Sequence, residues 1–303
     1  MVIHDRSYTR WDGDRGGRVP GALVIFDRGV MTSVAVLFRR KVFAILLSLW
    51  AFGPFVFAVL LMYAVFYFRS TPELAELAAN MTGLMKLVTP TPDTLWGYLV
   101  QIQAPVAMLL CVIVGAGLIA EDRRTNALEL YLSRPLGVFQ YVTGKLAIIG
   151  FFLSIVTIVP AVIIILVWMA LGATTGEEIA ELLGLLVKTV EAGFVGVLVL
   201  SLLVLTASSL ARRARVASIV FIGFLIVIEA ILHGILWDVL GRPGVHLVSI
   251  GFNVNQVVAA ILDNPAELNP DVPVLHSGLV LAGWVVLCSF TILRRVRPVE
   301  IVA

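Results

Sequence analysis

The stretch EDRRTNALELYLSRP, Glu121 to Pro135, decides how this chain is read. It carries Glu121, Asp122, Arg123, Arg124, Glu129 and Arg134, and it follows 27 residues without a charge, Thr94 to Ala120. Another long apolar run succeeds it. A charge-dense island between two greasy segments marks a loop between membrane crossings. From Thr125 to Leu132 the residues are good helix formers, with Leu128 and Leu132 one turn apart, and Pro135 stops the pattern. Asp122 near the start and Arg134 near the end suit a helix dipole. A short helix of this kind either turns the chain round or docks Leu128, Tyr131 and Leu132 in a groove on a soluble partner. Composition does not choose between the two.

The rest of the chain fits that setting. Of 303 residues 60% are hydrophobic and 14% charged, with mean hydropathy +1.01. Soluble domains carry roughly 25% charged residues, so the class is an all-α polytopic membrane protein. Crossing a bilayer takes about 20 apolar residues. Six segments qualify, roughly 42–68, 96–120, 146–171, 189–211, 217–240 and 275–293, and Pro54, Pro105 and Pro160 are expected to kink the first three. Cys111 and Cys288 both fall inside spans, as buried small hydrophobes rather than a disulfide or metal site.

Lysine and arginine set the expected orientation. Residues 1–41 hold eight, the 121–145 loop four, and the segments after the fourth and sixth spans three each, against Arg69, Lys86, Lys188 and Arg242 on the other side. Both termini are therefore expected in the cytoplasm. Residues 1–41 form a cytoplasmic segment, 42–294 the six-span domain and 295–303 a cytoplasmic tail.

Three further segments stand apart from plain spans and loops. Ala22–Arg40 places Leu23, Phe26, Val30, Val34 and Leu37 on one helical face, with Arg28, Thr32 and Arg39 opposite, as in a helix lying flat on the membrane interface. Thr71-Pro72-Glu73 opens a short outer helix through Val88. Residues 241–274 are too polar for a seventh crossing, with Asn253, Asn255 and Gln256 at their centre. A re-entrant or interfacial pair of short helices is expected there.

The segment EDRRTNALELYLSRPLGVFQYVTGK resembles the region after the second span in permease subunits of ABC-2-type transporters. Asp122-Arg123, Leu128-Glu129, Leu132, Pro135, Tyr141 and Gly144-Lys145 match that pattern. Arg124 stands where the family has a second Glu, and Asn126-Ala127 where it has Gly-Thr. The resemblance implies a coupling helix built on Glu121, Asp122, Arg123, Thr125, Leu128, Glu129, Tyr131, Leu132 and Pro135, seated in a cleft of a separate ATP-binding subunit. It also implies two such ATPase subunits, a second permease copy of the same or a related chain, export as the direction, and a place in the inner (cytoplasmic) membrane of the cell. No G-x-x-x-x-G-K-[ST] occurs here, so ATP and its magnesium belong to the partner. This chain is expected to bind no cofactor or metal, to catalyse nothing itself, and to contact the bilayer and no nucleic acid.

Inside the spans, Glu229 and His233 lie four residues apart on one face. A carboxylate at bilayer depth is costly and turns toward the bundle interior. Either the two line a path, or they pair to lock helices together. Gln101 and Gln103 could line a path or bond across helices. Lys188 and Glu191 are expected to pair at an interface, and Trp50, Trp96, Trp168 and Trp237 to anchor span ends. The alternative function is an ion-coupled carrier using Glu229 and His233. An intramembrane hydrolase lacks support, since neither H-E-x-x-H nor G-x-S-x-G is present.

Overall fold

The computed structural model describes residues 21–39, 41–71, 89–127, 137–172 and 175–296. Every regular element among them is helical: α1 (Gly21–Phe38), α2 (Lys41–Ser70), α3 (Pro92–Arg124), α4 (Val138–Leu171), α5 (Gly176–Leu210), α6 (Ala214–Leu240), α7 (Ile250–Ile261) and α8 (Val274–Arg295). All but α7 are long and apolar enough to cross a membrane, seven in total. The chain is a polytopic, membrane-embedded helical protein. Six of these helices overlap in sequence the segments expected as spans, so the structure offers one candidate more than the six expected. The seventh is α1, which meets the length and composition test as well.

Local chemistry sets the helix ends. Thr91 caps α3 by accepting the Thr94 amide, and Pro92 occupies the first turn, where its missing N–H costs nothing. Thr175 and Glu178 form a reciprocal capping box that starts α5 well before its apolar stretch. Gly241, with φ of +54°, ends α6 in the left-handed region. The 34 residues of α4 extend about 51 Å, well beyond a hydrocarbon layer of about 30 Å.

The core sits among α3, α4 and α5, with α8 closing one side. Leu110, Cys111, Ile119, Tyr141, Ile148, Leu153, Leu205 and Ile292 are all buried there. By contrast α6 buries only Ala217 and Phe221, and leaves Ile219, Ile226 and Ile235 exposed, as a lipid-facing helix does. Two tight seams rely on glycine. A Cβ on Gly115 would lie 2.7 Å from Val204 Cγ1, and one on Gly193 2.6 Å from Ile158 Cγ1.

Helix α1 packs on the first turns of α4. Ile25 sits over Gly144, Ile148 over Gly29, and the Phe26 and Phe151 rings meet edge to face at 5.6 Å. The buried face is therefore Ile25, Phe26, Gly29, Val30, Ser33 and Leu37. Leu23 and Val34, which belong to the apolar stripe expected from the sequence, are exposed, because close approach at the two glycines seats the helix on its Gly29 side. The expected outer helix from Pro72 to Val88 lies outside the described residues.

Candidate functional site

Two regions concentrate polar side chains: the charged end of α3 and the space between α6 and α7. In α3, two π-wound stretches (97–102 and 111–115) interrupt the α-helix, and a turn at Ala116 restarts it. A restarted helix exposes its first amide groups. Ser208 of α5 answers them. Its Oγ accepts from Ile119 and Ala120 N–H, both at 3.0 Å, and donates to Ala116 O at 2.8 Å.

Charged residues follow directly. Asp122 Oδ2 accepts the Tyr141 hydroxyl at 2.7 Å and lies 2.7 Å from Lys145 Nζ. Lys145 is nine-tenths buried, so its charge depends on that partner. Arg123 donates to Ser209 O at the end of α5. Glu121 pairs with Arg124 at 2.7 Å, and its other oxygen faces the Ala214 amide opening α6. One short segment thus ties together the ends of α3, α4, α5 and α6. Gly144 and Lys145 are adjacent: the first admits α1, the second clamps α3.

This arrangement corrects one expectation. Asp122 is not at the start of a new helix but in the last turn of α3. Thr125 bonds back to Glu121 O through both its amide and its hydroxyl, and Asn126 takes a left-handed φ of 55°. Those are features of a helix end, with Arg123 and Arg124 suited to its negative pole. Helical geometry resumes at Ala127. Leu128, Glu129, Tyr131, Leu132 and Pro135 lie outside the described residues.

At Glu229, α6 is π-wound over 226–232. Glu229 and His233 do share a face, but they do not pair. Both reach the segment that returns toward the bundle, and each finds its own partner. Glu229 Oε1 accepts the Gly251 amide at 2.9 Å, and Oε2 accepts the Ser249 hydroxyl. Ser249 Oγ also accepts the Phe252 amide at 2.9 Å, so Ser249 and Glu229 together cap α7. His233 Nε2 lies 3.0 Å from His246 Nδ1. His246 stacks on Phe252 at 4.7 Å and on Trp237 at 4.4 Å. Burial, and then the neighbouring His233, holds the His246 imidazole below its ordinary range.

Helix α7 is short and packs against α5 and α8, with Asn253 and Gln256 buried. Gln256 donates to Asn269 O and Val272 O at 2.9 and 2.8 Å, holding the turn before α8. Asn255 Oδ1 accepts Trp96 Nε1 at 2.8 Å. Trp96 is thus a buried tether and not an exposed anchor. Lys188 pairs with Asp263 rather than Glu191, because the turn after α7 brings Asp263 to it. Gln103 is buried and donates to Ala51 O at 3.1 Å, one turn before Pro54 in α2, while Gln101 is exposed.

A cavity of about 600 Å³ opens between α3, α4, α5, α6 and α7. Ala107, Thr157, Gly196, Glu229, Ala230 and Asn255 are on its wall. His233, Gln101 and Gln103 are not. Among the described residues no group of three or more His, Cys, Asp or Glu side chains is placed to hold a metal. The chain matches none of the protein-family models and none of the curated proteins compared with it.

Proposed function

We propose that this chain is the permease subunit of an ABC-2-type transporter, working with a second permease copy and two separate ATPase subunits. The observation that carries the reading is the clasp of Asp122 in the last turn of α3 with Tyr141 and Lys145 of α4, on either side of residues 123–140 in the sequence. A segment meant to pass motion into the membrane needs a stiff base, and this one is fastened to both flanking spans. In this scheme residues 121–135 seat in the ATPase. ATP closes the ATPase pair, and the clasp passes the displacement to α3 and α4. ATP acts as a ligand that favours one of two permease states. The charged end also carries Arg212, Arg213, Arg294 and Arg295, which form no ion pair among the described residues and suit an acidic partner or headgroup layer.

The topology that goes with this reading has six spans and both termini in the cytoplasm. Helix α1 lies along the cytoplasmic interface rather than crossing. Its contacts with α4 at Gly144, Ile148 and Phe151, all in the first half of that helix, support this, as does the arginine and lysine bias. The carrier alternative has one observation in its favour, the place of Glu229 on the cavity wall. Both Glu229 oxygens, however, already hold α7, a structural task.

Capture of the tagged chain from its native membrane in mild detergent tests the proposal. A co-purifying Walker-motif ATPase is expected. A chain that transports in response to a proton gradient and ignores ATP would replace this reading with the carrier.

A further inference from the structure

The wall of the cavity between α3 and α7 has an unusual charge balance. It is built mostly from small and apolar side chains on five helices, with Thr157 and Asn255 as polar neighbours, and among the described residues Glu229 is the only charged side chain on it. Among the described residues no lysine, arginine or histidine lines it. Each Glu229 oxygen already accepts one hydrogen bond, from Ser249 and from Gly251. A carboxylate has about four acceptor positions, so capacity remains toward the open space. A carboxylate in apolar surroundings is costly without a counter-charge. Among the described residues Glu229 receives hydrogen-bond donors but no cation.

We infer that this cavity binds a lipophilic cation, with the apolar body between Ala107, Gly196 and Ala230 and the positive centre against Glu229. The volume falls in the range of about 300–1,000 Å³ usual for small-molecule sites, and a mostly apolar wall with a few polar groups, here Glu229, Asn255 and Thr157, is their usual chemistry. Occupancy would bear on α7 as well, because the group that meets the ligand also caps that helix. The site stands whether or not an ATPase docks at the charged end.

Gly196 offers a clean probe. A Cβ placed there meets nothing within 4 Å, although Gly193 one turn earlier is blocked by Ile158. A side chain at Gly196 therefore starts into open space on the cavity wall, so Gly196→Leu reduces the cavity, and replacing glycine in a helix interior favours the helix. The experiment is equilibrium binding of tetraphenylphosphonium, and of its anionic twin tetraphenylborate, to full-length protein in lipid nanodiscs, with empty nanodiscs subtracted. The two probes share shape and differ in charge sign. Saturable tetraphenylphosphonium binding is expected, with tetraphenylborate weaker by at least about tenfold, the equivalent of one modest charge interaction. Gly196→Leu should weaken tetraphenylphosphonium by a similar factor. Glu229→Gln should erase the preference between the probes. Equal binding of both, or unaltered binding in Gly196→Leu, overturns the inference. Because no ATPase takes part, these outcomes are separate from the fate of the permease proposal.

Discussion

Lys145 Nζ and Asp122 Oδ2 stand 2.7 Å apart, joining the last turn of α3 to the second turn of α4 across the charged segment. Lys145 is nine-tenths buried and Asp122 more than four-fifths, so neither charge has ready recourse to water. Removing one partner of such a pair is costly because the other stays buried and unpaired, on the order of 3 kcal/mol. Asp122→Asn and Lys145→Met should each lower thermal stability in detergent. The double variant should lose clearly less than the two single losses combined. Strict additivity would show that the pair contributes no coupling.

A second test concerns the seat of α1. A Cβ on Gly144 would lie 2.9 Å from Ile25 Cγ2 and 3.1 Å from Ala22 O, a backbone atom that cannot swing aside. Gly144→Val should push α1 off α4. A disulfide between cysteines at positions 29 and 148, whose Cβ atoms would lie 3.9 Å apart, should form readily with Gly144 in place and fail in the valine variant. Equal crosslinking in both would contradict the packing described.

Ser249 serves two helices, accepting the Phe252 amide and donating to Glu229. Loss of an N-cap side chain costs about 1 kcal/mol. Ser249→Ala should raise amide hydrogen exchange over 250–254 and leave α8 unaffected. Unchanged exchange in α7 would mean that the cap is dispensable.

Acid should weaken the segment after α6. His246, next to His233, Trp237 and Phe252, is held below its ordinary range by burial and by His233. The unfolded imidazole titrates near about 6.5. Below that pH the unfolded chain binds more protons than the folded one, so stability contributed here is complete above that value and falls as pH drops through the lower folded value. The melting midpoint should fall between pH 7.5 and 5.0, and His246→Phe, which keeps the stack, should flatten that fall. An equal fall in the variant would assign the acid sensitivity elsewhere.

Much of this fold is legible in the sequence because hydropathy and capping act over short distances. The spans follow from apolar length. Apolar length starts the second and fourth spans at 96 and 189, whereas the local caps at Thr91-Pro92 and Thr175–Glu178 start those helices earlier; Asn253, Asn255 and Gln256 flag a segment too polar for a span, which folds as the short helix α7. Partner choice is less legible. Asn255 meets Trp96 from 159 residues away, and Lys188 meets Asp263 from 75. Nothing local in the sequence distinguishes Asp263 from the nearby Glu191. The shared face of Glu229 and His233 is readable at i and i+4, but the competing donors at Ser249 and Gly251 arrive only with tertiary packing. At Asn126 the left-handed turn was masked by good helix formers on either side, and it moves Asp122 from the start of one helix to the end of another.

The central claim is that residues 121–135 couple this chain to an ATPase. The most direct measurement is ATP hydrolysis by the complex captured on the tagged chain, compared between the native sequence and Leu128→Asp, with membrane insertion checked in parallel. The account predicts a co-purifying ATPase whose activity the native chain stimulates, and loss of that stimulation in a variant that still inserts normally. Normal stimulation by Leu128→Asp, or the absence of any ATPase after crosslinking in the membrane, would contradict it.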